Sequence, residues 1–264
     1  MKLGVNTVLF KEFPLSEAFP AIKKAGYDGV ELSAIEGMCE HLTPDIWQTQ
    51  AREISALAKQ HGLALLSMEV ASLDEARLEK AFAAAAALEI PVVNVGPGGK
   101  KDDEASLIES IATLRARAQQ AARHGVTLCA KAHVGCAIYS TPTTLRAMHE
   151  IAEDSFGIDM DPSHIFRAGE TPEEALLHVV SRVKHIHIRD CPDGGPAPGE
   201  PAMQACGRGL INLLGYFKVL CAARYNGPVC LEVIGPALSM QDAVSIAAES
   251  YGYMNACLRA LGAR

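Results

Sequence analysis

Eight times over, this chain sets a short apolar run of strand length against a stretch with helical periodicity, and that alternation constrains the fold more than any other feature. LGVNTVLF reads as a strand and PLSEAFPAIKKAG as a helix. YDGVELS, LALLSMEV, PVVNVGPGG, VTLCAKAH, FGIDMD, VKHIHIRD and GPVCLEVI repeat the strand, each with a helical stretch after it. The helix at TPDIWQTQ opens on a Thr cap and a first-turn Pro. The one at DDEASLIESIATLRARAQQAARHG is acidic at its start and basic at its end, as the helix dipole favours. Short links and crossover helices make the strands parallel. Eight such units close an α/β fold, the (β/α)8 TIM barrel, as a single domain over residues 1–264. An open doubly wound sheet fits less well, because no GxGxxG or P-loop opens any helix, and GPGGK resembles a phosphate loop only weakly.

Composition narrows the class. Hydrophobic residues make up 49% of the chain, enough for a sizeable core. No run approaches the ~18 apolar residues of a membrane span. MKLGVNTVLF enters a strand pattern at once, so no signal peptide is expected. Eight cysteines without a CxxC pair read as reduced core thiols of a cytoplasmic protein. A net charge of −7 argues against nucleic acid as the main partner. Tyr251, Tyr253 and Met254 on the last helix are candidates for a homo-oligomer face, with packing on the barrel as the alternative.

Side chains alternate along a strand, and in a barrel the more apolar set faces the helices. The inward set then holds Glu31 and Ser33, Glu69, then Cys129, Lys131 and His133, Asp159 and Asp161, His185, His187 and Arg189, and Cys230 and Glu232. Burying unpaired charge is expensive, so this many ionisable groups must pair with one another, hold a metal or bind a polar substrate. They collect at the carboxyl ends of the strands, where active sites of this fold lie. His185 sits deeper and reads as a packed, hydrogen-bonded histidine. Glu69 has Lys131 or Arg189 as candidate partners.

AGYDGVELS, DMDPSH, VKHIHIRD, GRGLIN and YNGPVCLEV occur in this order, one per βα unit. In them the chain resembles the sugar-phosphate isomerase/epimerase family of xylose-isomerase-like TIM barrels, over nearly its whole length. The resemblance implies a divalent metal (Mn, Zn, Co or Mg) held by Asp161, His187 and Glu232. It implies substrate contact at His164, and Glu31 resembles a carboxylate common at the end of the second strand. The fourth family ligand, a Glu ending the fifth strand, is Lys131 here, in Lys131-Ala132-His133. Metal binding should therefore be weaker than in the family, with a metal-free site as the alternative.

Lys131 has three readings. It acts as acid or base beside a three-ligand metal, its ammonium replaces the metal as a fixed charge, or it forms a Schiff base. The catalytic candidates are Lys131, Glu232 and His164. The substrate-binding candidates are Glu31, Glu69, His133, Arg189 and Arg208, the two arginines suiting an anionic group. The resemblance implies an isomerase or epimerase acting on a small keto-sugar or related polyhydroxy carbonyl compound. The alternatives are a lyase or dehydratase on a keto-sugar or related acid, and a non-catalytic sugar-binding barrel. Apurinic endonucleases share the barrel but use richer ligand clusters.

Overall fold

The computed structural model describes residues 1–264. Eight parallel strands close on themselves: β1 (Lys2–Asn6), β2 (Gly29–Ile35), β4 (Ala64–Glu69), β5 (Val92–Val95), β6 (Thr127–Lys131), β7 (Phe156–Met160), β8 (Val183–Ile188) and β9 (Pro228–Leu231). A two-residue strand, β3 (Cys39–Glu40), pairs antiparallel with the end of β2 and lies outside the ring. Pairing of β1 with both β9 and β2 closes the barrel. The (β/α)8 TIM barrel expected from the repeat is the fold observed.

The helices form the outer layer: α1 (Leu15–Ala25), α2 (Trp47–His61), α3 (Glu75–Ala87), α4 (Glu104–Ala122), α5 (Thr141–Glu150), α6 (Pro162–Arg167), α7 (Pro172–Val179), α8 (Leu213–Ala222) and α9 (Met240–Ala260). Their apolar faces and the outward strand residues make one continuous core. No helix is long and apolar enough to cross a membrane. All eight cysteines are free thiols. At the floor of the barrel, a Cβ on either Gly4 or Gly29 would come within 2.7 Å of Leu66, so glycine there makes room for that side chain.

Two local departures from the sequence pattern have physical causes. The first strand ends at Asn6, because the Asn6 side chain accepts from Val8 N (3.0 Å) and turns Thr7–Phe10 into a 3-10 helix. A separate short helix, α6, follows β7, with Asp161 capping it by accepting from Ser163 N (2.8 Å) and Pro162 in its first turn. Tyr251, Tyr253 and Met254 pack on their own barrel. Tyr251 meets Tyr27 edge-on with centroids 5.2 Å apart, Gly207 lies against Tyr253, and Met254 is fully buried.

Candidate active site

Burial and the cavity wall separate the ionisable groups into two tiers, and strand register sets their neighbours. Asn6 lies beside Glu31 across the β1–β2 seam, Glu69 beside Asn94, Lys131 beside Asp159, and His187 beside Cys230. The lower tier is sealed: Glu31, Asp159, His185 and His187 are all fully buried. His187 lies between two carboxylates, donating from Nδ1 to Asp159 Oδ2 (2.5 Å) and from Nε2 to Glu31 Oε2. Burial alone would lower its pKa, but Asp159 and Glu31 hold it well above the ordinary histidine value, so the ring is an imidazolium. His187 in turn holds Asp159 well below the carboxylate range and Glu31 below it, against the opposing effect of burial. His185 donates to Asp159 Oδ1 (2.9 Å) and accepts from Ser67 Oγ (2.9 Å), the hydrogen-bonded role expected of it.

The upper tier faces a cavity of about 320 Å³. Glu69, Lys131, His133, His164, Arg189 and Glu232 line it among more apolar neighbours. Lys131 Nζ donates to Glu69 Oε1 (3.0 Å) and to Glu232 Oε1 (2.9 Å). Arg189 donates from Nη2 to Asp161 Oδ2 (3.0 Å) and to His164 Nε2 (2.9 Å), and from Nε to Ser163 Oγ (2.7 Å). Its Nη1 lies 3.2 Å from Glu232 Oε2 as an ion pair without hydrogen-bond alignment. That buried carboxylate oxygen therefore has no donor.

The two carboxylates that share Lys131 are driven apart. Burial, with Glu232 beside it, pushes Glu69 up to about 8. Burial would raise Glu232 too, but Lys131, His187 and Arg189 hold it well below the carboxylate range. Arg189 adds to the asymmetry by pairing directly with Glu232, while Glu232 and Glu31 both push Glu69 up. Burial would likewise lower Lys131, yet Glu232 and Glu69 hold its pKa above the ordinary lysine value. An ammonium held this firmly is neither a general base nor an amine nucleophile, which disfavours the acid–base and Schiff-base readings. His133 is lowered mainly by burial, and His164 well below its usual value by burial and then by Arg189, so both rings are neutral. The two rings lie 4.0 Å apart between centroids.

The family's metal set does not fit this arrangement. The ligand atoms that converge within 4.8 Å of one another belong to Glu31, Glu69 and His187, to Asp159, His185 and His187, and to Glu31, His185 and Cys230. Asp161, His187 and Glu232 form no such group. Both nitrogens of His187 are engaged by carboxylates, Arg189 stands between Asp161 and Glu232, and Lys131 replaces the fourth carboxylate. Two unit positive charges already balance the carboxylates that would have held the ion.

Of the other expected residues, Glu31 and Asp161 are fully buried and do not form the cavity wall. Arg208 is exposed and forks onto Glu249 of α9 (2.5 and 2.9 Å), outside the cavity, because Asp190 fixes the loop around it. The sequence reading missed Asn6 and Asn94. Asn6 Nδ2 bridges Glu31 (3.0 Å) and Glu69 (2.6 Å), and Asn94 Nδ2 donates to Glu31 (2.5 Å). Each is a lone amide in an apolar strand, and that was the available signal.

Comparison with known proteins agrees with the fold. The family described as the xylose isomerase-like TIM barrel matches residues 19–257. An inosose dehydratase of Clostridium botulinum (strain Alaska E43 / Type E3) is 27% identical over 128 residues. The match spans 43% of this chain and only 42% of that relative's length. A D-allulose 3-epimerase from Methylomonas sp. superposes with a TM-score of 0.78 at 15% identity, covering 98% of both chains. The IOLI protein with a bound zinc atom superposes with a TM-score of 0.79 at 18% identity, covering 98% of this chain and 99% of that one.

Proposed function

Because the chain belongs to the xylose isomerase-like TIM barrel family, we propose that it moves a proton at the carbon next to a carbonyl in a small polyhydroxy carbonyl compound, as an isomerase or epimerase. The substrate class is a keto-sugar or a related compound. The observation that carries this reading is the Lys131 ammonium fixed between two carboxylates, one ionised and one protonated, on the wall of the cavity.

Glu232 is the base. Its Oε2 accepts no hydrogen bond and is held only by the Arg189 ion pair, which leaves it lone pairs for a proton from carbon. The charge that develops on the substrate oxygen meets Lys131, with Arg189 behind it, two cations that need no reorientation as the charge grows. Glu69 keeps its own proton near neutral pH and delivers it to the neighbouring carbon or to the opposite face. The pair thus restores the two-carboxylate arrangement that Lys131 removed from the fifth strand. The ammonium takes the charge-stabilising part that a metal plays in relatives. The neutral rings of His133 and His164 are suited to hydroxyl groups at the mouth. Arg189 has its donors engaged by the protein, so it is a positioning cation rather than a receptor for an anionic substituent.

A dehydratase is the second reading. It is favoured by the protonated Glu69, which could release a hydroxyl as water, and by the similarity to an inosose dehydratase. Incubating a panel of ketoses, inososes and 3-keto-glycosides in D2O and following them by NMR separates the cases. Deuterium entering the carbon next to the carbonyl, with an isomeric product, supports the proposal. Loss of water to an enone supports the second reading. Binding with neither exchange nor product would leave a sugar-binding barrel and overturn both.

A further inference from the structure

A second cavity of about 330 Å³ lies beside the polar one, and no step of proton transfer uses it. Val8, Leu9, Ala197, Pro198, Ile234 and Leu238 give it apolar walls, and its one ionisable lining residue is Lys11, which donates to Gly235 O (2.7 Å). The two cavities share Met38 and Ile234 as common walls. Ile234 is only two residues beyond Glu232, so the apolar space opens next to the base.

The roof of this cavity is a constructed one. It is the Pro/Gly-rich segment after β8, and two buried side chains pin it. Gln204 donates to Gly199 O (2.8 Å) and Ile234 O (2.6 Å) and accepts from Ile234 N (3.1 Å). Asp190 accepts from Cys191 N (2.9 Å), Gly207 N (2.9 Å) and Ile211 N (3.1 Å). Two of these six bonds tie the segment to Ile234 beyond β9 and the other four brace it internally, so the wall of the apolar space is built into the fold. Each cavity sits at the lower end of the ~300–1,000 Å³ range of ligand pockets, and the pair falls well inside it.

We infer that the natural substrate is bipartite: its polyhydroxy carbonyl head occupies the polar cavity, and an apolar aryl or alkyl substituent of the same molecule occupies the cavity under the Pro/Gly segment. This rests on the proton-transfer reading for the head and adds the chemical class of the tail. The occupant is part of the substrate because the space shares two walls with the reaction cavity and its one ionisable side chain, Lys11, is already bonded to Gly235 O.

The methyl and phenyl glycosides of one 3-keto-hexose test the inference, with binding read by calorimetry and exchange at the carbon next to the carbonyl read in D2O. The phenyl compound should bind at least about tenfold more tightly, with a more negative heat-capacity change. Leu238→Gln and Ala197→Glu, both outside the polar cavity, should each erase that preference while leaving methyl-glycoside exchange unchanged. Equal binding of the two glycosides overturns the inference, even if both exchange and the proton-transfer reading stands. Tighter phenyl binding with no exchange by any carbonyl compound keeps the apolar site and overturns the reaction. If the Leu238 variant instead changes the sedimenting species, the cavity is a contact between copies and the inference falls.

Discussion

Within one barrel, the same motif occurs twice. His187 is a cation shared by Asp159 and Glu31, and one tier above it Lys131 is a cation shared by Glu69 and Glu232. In the lower copy, all four carboxylate oxygens accept hydrogen bonds, and both carboxyls are held ionised. In the upper copy, one carboxyl keeps its proton, the other does not, and one oxygen has no donor. The difference comes from a second cation, Arg189, that ion-pairs with Glu232, from Glu31 and Glu232 crowding Glu69, and from the cavity. Symmetric pairing makes a structural joint, and lopsided pairing makes an acid beside a base.

The largest test of this contrast is His187→Ala. It leaves Asp159 and Glu31 buried without their shared cation, and should cost about 3–5 kcal/mol in urea-unfolding stability. Lys131→Met should cost clearly less, because Glu69 can stay protonated and Arg189 still faces Glu232. Equal losses would erase the distinction between the tiers. The same Lys131→Met change should lower kcat by about 10²–10³, the effect of removing one preorganised charge-stabilising donor.

The pH dependence sharpens the contrast next. Glu69 is raised from an ordinary value of 4.5 to about 8, so between those pH values the folded chain holds a proton that the unfolded chain gives up. Its contribution to stability therefore falls as pH rises across that window. Glu232, held low, contributes in the opposite sense, and its contribution is lost as pH falls through its folded pKa. Activity should drop above about pH 8 as Glu69 loses its proton, and Glu69→Gln should remove both that limb and the stability slope.

Metal comes after. Dialysis against a chelator should leave turnover unchanged, and added Mn, Zn, Co or Mg should not bind between Asp161 and Glu232. The Lys131→Glu/Arg189→Ser double variant should take up a divalent ion detectable by elemental analysis. Uptake by the unaltered chain at that position would show that the two side chains do not fill it. The smallest effect belongs to Arg208→Ala. Both Arg208 and its partner Glu249 are exposed, so the change should leave the urea-unfolding midpoint and turnover unchanged.

Much of this was legible in the chain itself. Eight βα repeats dictate a closed barrel, and strict alternation identified Glu69, Lys131, His133, Arg189 and Glu232 as inward. Alternation gives a side chain's face but not its height or its partner. It could not show that Glu31 and His187 lie sealed below the cavity, or that Arg189 joins Asp161 to Glu232, since these depend on stagger between strands distant in sequence. The resemblance that suggested Asp161, His187 and Glu232 as a ligand set carried the identities of those residues but not the consequence of Lys131 among them. Asn6 and Asn94 escaped notice because a single amide in an apolar strand carries no period.

The pinned segment after β8 has a consequence for traffic. Tethered by Asp190 at one end and Gln204 at the other, the segment presents a set wall to the apolar cavity beside the base. Substrates are then sorted by the tail that this wall accepts rather than by a closing movement, and turnover should not depend on solvent viscosity in the way that a hinged door would require.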